Sequence, residues 1–225
     1  MCLPYLDPAL HESRRQILEI SYGFKCQCPS CQFLETIGPL PGLPIDQTEI
    51  SSLEKSLRDL VAFVPDLAHA LPERLIKDTP PALYCMLREG YMGGLSETFS
   101  KASHEGQYDL ALESGVTLLS LYLLIYPPNY PQIGKIRAHC NFVLPFLIFH
   151  ALVYPGIHLL ELAKTTWNAL ITAHGLARDE IQTLKQQLPV FLSLAHRILL
   201  VLGPEGDDVG PLQEIRTLQQ LFPDN

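Results

Sequence analysis

Three thiols fall within six residues, Cys26-Gln27-Cys28-Pro29-Ser30-Cys31, and they are the densest chemical feature of the chain. Thiolates held this close repel one another unless a cation neutralises them. Zinc suits such a set, and it prefers four donors in a tetrahedron. A disulfide is the competing use of the same residues. The chain opens Met1-Cys2-Leu3-Pro4, without a basic n-region and long apolar core, so no secretory signal is read. The other three cysteines, Cys2, Cys85 and Cys140, are scattered, which favours metal over a disulfide framework. Cys85 and Cys140 lie in apolar stretches and read as ordinary buried thiols. Cys2 and His11 are the nearest candidates for a fourth ligand, and their spacing singles out neither. The eight histidines do not cluster: His69, His139, His150, His158, His174 and His196 sit in separate apolar segments and read as core or surface residues. No Gly-x-Ser-x-Gly elbow, Walker loop or His-Glu-x-x-His pair offers another catalytic chemistry.

The elements that must position these thiols are mostly helices. With 225 residues, 47% of them hydrophobic, the chain is long enough to bury a core without disulfides. The 19 Pro and 14 Gly follow no fixed period, which excludes collagen-like architecture. A net charge of −8 argues against docking on nucleic-acid phosphates. Between His139 and Leu160 no residue is charged, but Pro145, Pro155 and Gly156 interrupt the run. A helix buried among other helices is the better reading than a membrane span.

Leu3-Pro4-Tyr5-Leu6 reads as the tail of a strand, and Asp7-Pro8 as the start of a helix that Gly23 stops. Residues 1–35 form one unit. Residues 36–50, centred on Gly38-Pro39-Leu40-Pro41-Gly42-Leu43-Pro44, read as a linker. From 51 to 225 the apolar spacing is helical, beginning with Leu53, Leu57, Leu60, Val61 and Val64. Helices are expected over 66–77, 80–101, 105–125, 132–152, 154–174, 178–202 and 209–222, packed as antiparallel pairs. The fold class expected is mainly α, a short zinc segment followed by helical pairs. Glu105-Gly106-Gln107-Tyr108-Asp109-Leu110-Ala111-Leu112 fits the second-helix opening of a tetratricopeptide repeat, with Gly106 allowing close approach and Tyr108 and Ala111 filling the seam. Tyr154-Pro155-Gly156-Ile157 through Trp167 is a looser echo.

Taken in order, Tyr5-Leu6-Asp7-Pro8, Arg14-Arg15-Gln16-Ile17-Leu18 and Tyr22-Gly23-Phe24-Lys25-Cys26-Gln27-Cys28-Pro29-Ser30-Cys31 resemble the junction between a SET domain and its post-SET motif. The group resembled is the SET-and-MYND (SMYD-like) protein-lysine methyltransferases, whose tetratricopeptide-like helical domain the remainder is similar to. Tyr126-Pro127-Pro128-Asn129-Tyr130-Pro131 and Ala169-Leu170-Ile171-Thr172-Ala173-His174-Gly175 look like recurring segments of that domain. The resemblance implies that Tyr5 lines the lysine channel as the catalytic tyrosine and that Tyr22 forms a second, substrate-binding wall. It implies that Phe24 stacks on the adenine of S-adenosylmethionine. Cys26, Cys28 and Cys31 become three of four zinc ligands, the fourth being a cysteine of the SET segment that normally lies upstream.

No Asn-His pair, Gly-rich cofactor loop or MYND finger occurs among the 225 residues, and Pro4 stands where the family usually has Ser. The expectation is therefore the C-terminal portion of a lysine methyltransferase, inactive alone because most of the SET domain is missing. Its partners would be a protein or peptide substrate, such as a histone tail, and the missing SET segment, with no direct nucleic-acid or membrane contact. The alternative is a non-catalytic helical-repeat module that binds a peptide or protein. Reduced, zinc-bound thiols suit the cytoplasm and the nucleus alike.

Overall fold

The computed structural model describes residues 16, 19, 20, 22–25, 27, 29–61, 79–125, 145–172, 177–200 and 210–222. The described residues are mainly helical and include no strand. The expected strand at 3–6, the helix over 66–77 and Cys140 lie outside them.

Helix α1 (Pro29–Ile37) carries the last of the three clustered cysteines. Helix α2 (Gln47–Val61) starts where Asp46 Oδ1 accepts the Thr48 backbone N–H at 2.9 Å, an N-cap that satisfies one orphan donor. Glu49 in its first turn and Arg58 in its last suit the helix dipole. Its apolar side is Leu53, Leu57 and Leu60, with Leu57 fully buried.

The expected helix over 80–101 is two elements. A 3-10 helix, Pro81–Leu87, buries Leu83, Cys85, Met86 and Leu87. Arg88 then turns extended, at φ −70° and ψ 137°, before α3 (Glu89–Glu105) begins. That reset lets the short helix and α3 point their apolar sides at one core.

Gly106, at φ 76°, stops α3, and the Gln107 N–H bonds back to the Ala102 carbonyl at 2.9 Å. Helix α4 (Tyr108–Ile125) folds back so that Phe99, seven residues before the turn, meets Gly115, nine residues after it. The two run antiparallel. Gly106 serves the left-handed turn rather than helix approach, since only Tyr108 Oη comes as near as 4.0 Å to a Cβ built there. The close approach occurs at Gly115 instead.

Helix α4 is central, packing against α2, α3 and α5 (Pro145–Ile171). Leu118, Leu119, Leu121, Tyr122 and Leu124 are buried along it, so it is apolar around most of its girth. Its serine and threonine hydroxyls are also buried, and each returns to its own helix. Ser114 donates to Leu110 O, Thr117 to Glu113 O and Ser120 to Val116 O, all within 2.9 Å. Thr165 and Thr166 of α5 do the same to Glu161 O and Leu162 O at 2.8 Å.

A helix break at Pro155-Gly156 is not found: α5 runs through both. A Cβ on Gly156 would lie 2.9 Å from Leu199 Cγ and 3.1 Å from Ile198 Cγ2. At Gly156, then, α6 (Arg178–Leu199) comes so close that a side chain would meet Leu199 and Ile198. Early residues of α5 meet late residues of α6, so this pair is antiparallel as well.

Helix α7 (Pro211–Leu221) closes the described chain, burying Leu212, Ile215 and Leu218. Trp167 meets Phe222 edge-on at 6.1 Å, and Lys164 Nζ reaches Glu214 at 3.0 Å. No helix among the described residues is long and apolar enough to cross a membrane.

Candidate functional site

Residues 16, 19, 20 and 22 are helical, and Gly23 ends that stretch at φ 66° with its N–H on the Glu19 carbonyl at 3.1 Å. The glycine stop expected from sequence is therefore present. Phe24 is half-buried and Tyr22 is 59% exposed. Lys25 Nζ lies 3.7 Å from Glu35 on the exposed side of α1, so the segment before the cysteines is drawn towards the helix after them. Cys31, the third residue of α1, is only 1% exposed. Tyr5, Cys26 and Cys28, with the fourth-ligand candidates Cys2 and His11, lie outside the described residues. No group of three metal-capable side chains occurs among the described residues.

Helix α1 and the segment after it are both attached to the helical body. Phe33 packs edge-on against Tyr84 with centroids 5.7 Å apart. The Arg88 Nη1 donates to the carbonyls of Leu40 and Pro41, at 3.1 and 3.3 Å. Leu40 and Leu43 also pack on the core, so residues 38–46 lie along the helical body rather than free of it. Sequence reasoning missed this attachment, because Pro and Gly density reports backbone preference and not where a carbonyl is received.

Several titratable groups among the described residues of the helical body hold structure. His158 of α5 is buried between Phe99 and Tyr122, whose rings meet it edge-on at 4.9 and 5.5 Å. Its Nε2 is 2.8 Å from the Gly115 carbonyl. A carbonyl only accepts, so Nε2–H is the donor and fixes the tautomer. Burial pushes this imidazole down to about 4, the Gly115 bond opposing only part of the shift. The ring is neutral and pins three helices. The sequence reading left core and surface positions open for this histidine and gave no sign of the junction.

Burial and the Glu54 carboxylate, 2.6 Å from its Oη, push the Tyr91 phenol far up. Burial raises the Cys85 thiol as well, leaving it protonated and inert. Arg58 donates to Thr117 Oγ1 and pairs with Glu113 at 3.0 Å, joining α2 to α4. At Lys164 burial pulls the ammonium down, and the Glu161 and Glu214 carboxylates outweigh it to leave the group above its ordinary value. Tyr91, Arg58 and Lys164 thus each join one helix to another.

Against known proteins the chain stands apart: no family model, no curated protein and no solved structure matches it.

Proposed function

We propose that this chain is the post-SET segment and helical C-terminal domain of a SET-type, S-adenosylmethionine-dependent protein-lysine N-methyltransferase. The observation that carries the reading is the ordered run Tyr22-Gly23-Phe24-Lys25-Cys26-Gln27-Cys28-Pro29-Ser30-Cys31, which leads without interruption into a helix attached to a helical body. Cys31 fits a zinc ligand. It is withdrawn from water, and it lies in the first turn of a helix, where the dipole stabilises negative charge. Cys26, Cys28 and Cys31 would hold zinc as a structural staple, with a fourth donor from outside the motif.

S-adenosylmethionine supplies the methyl group when bound. Phe24 would cover its adenine, while Tyr5 and Tyr22 would wall the channel that presents a protein lysine. Tyr22 has the open face such a wall needs. The antiparallel pairs α3–α4 and α5–α6 are read as tetratricopeptide-like units forming one side of the substrate groove. Methyl transfer requires cofactor, channel and lysine held in line. The chain alone is therefore expected to transfer no methyl group.

The experiment is zinc stoichiometry on the reduced full chain and on Cys26→Ser and Cys28→Ser variants, paired with S-adenosylmethionine calorimetry. One weakly held zinc per chain, lost in both variants, is the expected result. A chain that takes up no zinc would overturn the post-SET assignment and leave the helical interaction module. Specific cofactor binding by the chain alone would overturn its expected inactivity.

A further inference from the structure

Ile171, the last residue of α5, is 59% exposed, and Leu221, the last of α7, is 56% exposed. The two helix ends are joined by a pair of half-buried rings. Trp167 lies one turn before Ile171 on the same side of α5. It meets Phe222, the neighbour of Leu221, edge-on at 6.1 Å. Apolar surface therefore continues from α5 to α7 instead of standing as single exposed side chains. From Thr165 to Thr172 and from Thr217 to Phe222 no residue is charged. The exposed polar residues of these stretches include Asn168, Gln219 and Gln220. Next along the two helices come Glu161, Lys164, Glu214 and Arg216, two of each sign, whose charges cancel. Lys164 is paired with both carboxylates.

We propose that this face, centred on Trp167 and Ile171, pairs with the same face of a second copy of the chain. Charge selects the occupant. Two copies that each carry a net charge of −8 repel wherever carboxylates dominate. An uncharged apolar stretch is where they can meet without that repulsion. A two-fold contact also brings like groups together, so each polar group in it must tolerate its own kind. The amides of Asn168, Gln219 and Gln220 both donate and accept, and can therefore pair with amides, as a carboxylate or an ammonium could not. A strongly charged peptide would find no opposite charge on this stretch. A lipid surface calls for Lys and Arg flanking the apolar residues, whereas uncharged amides flank these. Few large side chains take part, so the association is weak and reversible. The inference uses neither the thiol segment nor the methyltransferase reading.

The test is analytical ultracentrifugation of the reduced full chain from about 5 to about 200 µM, with tryptophan emission followed over the same range. Trp167 is the only tryptophan, so its emission reports on this face alone. The mass should rise from one chain towards two, and the emission should move to the blue as it does. Ile171→Glu places a charge opposite its own copy and should weaken the association on the order of tenfold or more, with the emission independent of concentration. Leu221→Gln should weaken it in the same direction without adding charge. Leu110→Glu, at an exposed position on α4, is the control and should associate like the parent. A parent that stays a single chain throughout would overturn the pairing. So would an Ile171→Glu chain that associates unchanged, loss of association in Leu110→Glu to the same degree, or growth beyond two chains.

Discussion

Replacing Gly115 by alanine tests whether the three-helix junction is as tight as its geometry states. A Cβ there would stand 2.7 Å from Leu162 Cδ2, 2.7 Å from Phe99 Cδ2 and 2.8 Å from Phe99 Cε2. Ordinary contact begins at 3.4 Å, so the shortfall is about 0.7 Å on two sides at once. Neither neighbour can swing into water, because Leu162 is fully buried and Phe99 is 6% exposed. The helices must separate, and separation also strains the bond from His158 to the Gly115 carbonyl. Overpacking of this kind costs about 1–3 kcal/mol. The helix-propensity gain of alanine over glycine returns about 1 kcal/mol. With two buried neighbours blocked at once the cost falls at the upper end, so the net expectation is a loss of about 2 kcal/mol, read as a lower urea midpoint by far-ultraviolet circular dichroism, with the slope unchanged. Gly93 is the control. It is exposed on α3 with nothing within 4 Å of a built Cβ, so Gly93→Ala should gain about 0.5–1 kcal/mol by the same assay. A Gly115→Ala protein as stable as the parent would refute the reasoning, because the junction would then have slack.

The neutral His158 makes stability depend on pH. Its folded value of about 4 lies below its ordinary 6.5, so the unfolded chain binds the proton more readily. Stability is complete above pH 6.5 and declines as pH falls towards about 4, by on the order of 3 kcal/mol in all. His158→Gln should remove that slope, and a parallel pair of pH profiles would count against it. Lys164 behaves in the opposite sense, its contribution being present at neutral pH and lost as pH rises through its elevated value. Lys164→Met should cost about 0.5–1 kcal/mol and raise amide exchange in α7 before the other helices; uniform exchange would contradict it. Tyr91→Phe strands the Glu54 carboxylate and should cost about 1 kcal/mol by urea unfolding. A neutral result would mean that water replaces the phenol.

Local signals in the sequence carried the helices and their stops. Gly23 stops its helix in the left-handed conformation, as read, and the apolar spacing of Leu53, Leu57 and Leu60 faces the core as expected, whereas Gly106, read as allowing helix approach, serves a left-handed turn instead. Signals with two physical meanings were misread. Gly156 follows a proline and resembles a helix break, yet its missing Cβ serves Leu199 and Ile198 across the interface. Gly115 carries no turn signal at all, because its partners lie far along the chain. The same holds for the Arg88 grip on Leu40 and Pro41, which joins residues 48 and 47 positions apart. Of the candidate site, the motif is legible as a pattern of residue types. Tyr22, Phe24 and Cys31 have described surroundings, whereas Tyr5, Cys26 and Cys28 lie outside the described residues.

The buried hydroxyls of α4 and α5 have a consequence for alignment. Because Ser114, Ser120 and Thr166 each return a bond to their own helix, they present their neighbours with methyl and methylene surface, unlike Thr117 and Thr165, whose hydroxyls also meet Arg58 and Ser103. Such faces carry little directional information, so nothing in their polarity prevents one helix from sliding a turn along another. Longitudinal position between α3, α4 and α5 is then keyed by shape, through the notch at Gly115 that receives Phe99 and Leu162. One hydroxyl contact crosses from α3 to α5, Ser103 to Thr165 at 3.3 Å, and it sits about two turns further along α5 than His158. A notch at one level and a polar stud at another fix both offset and rotation, as two pins locate a plate that one would let turn.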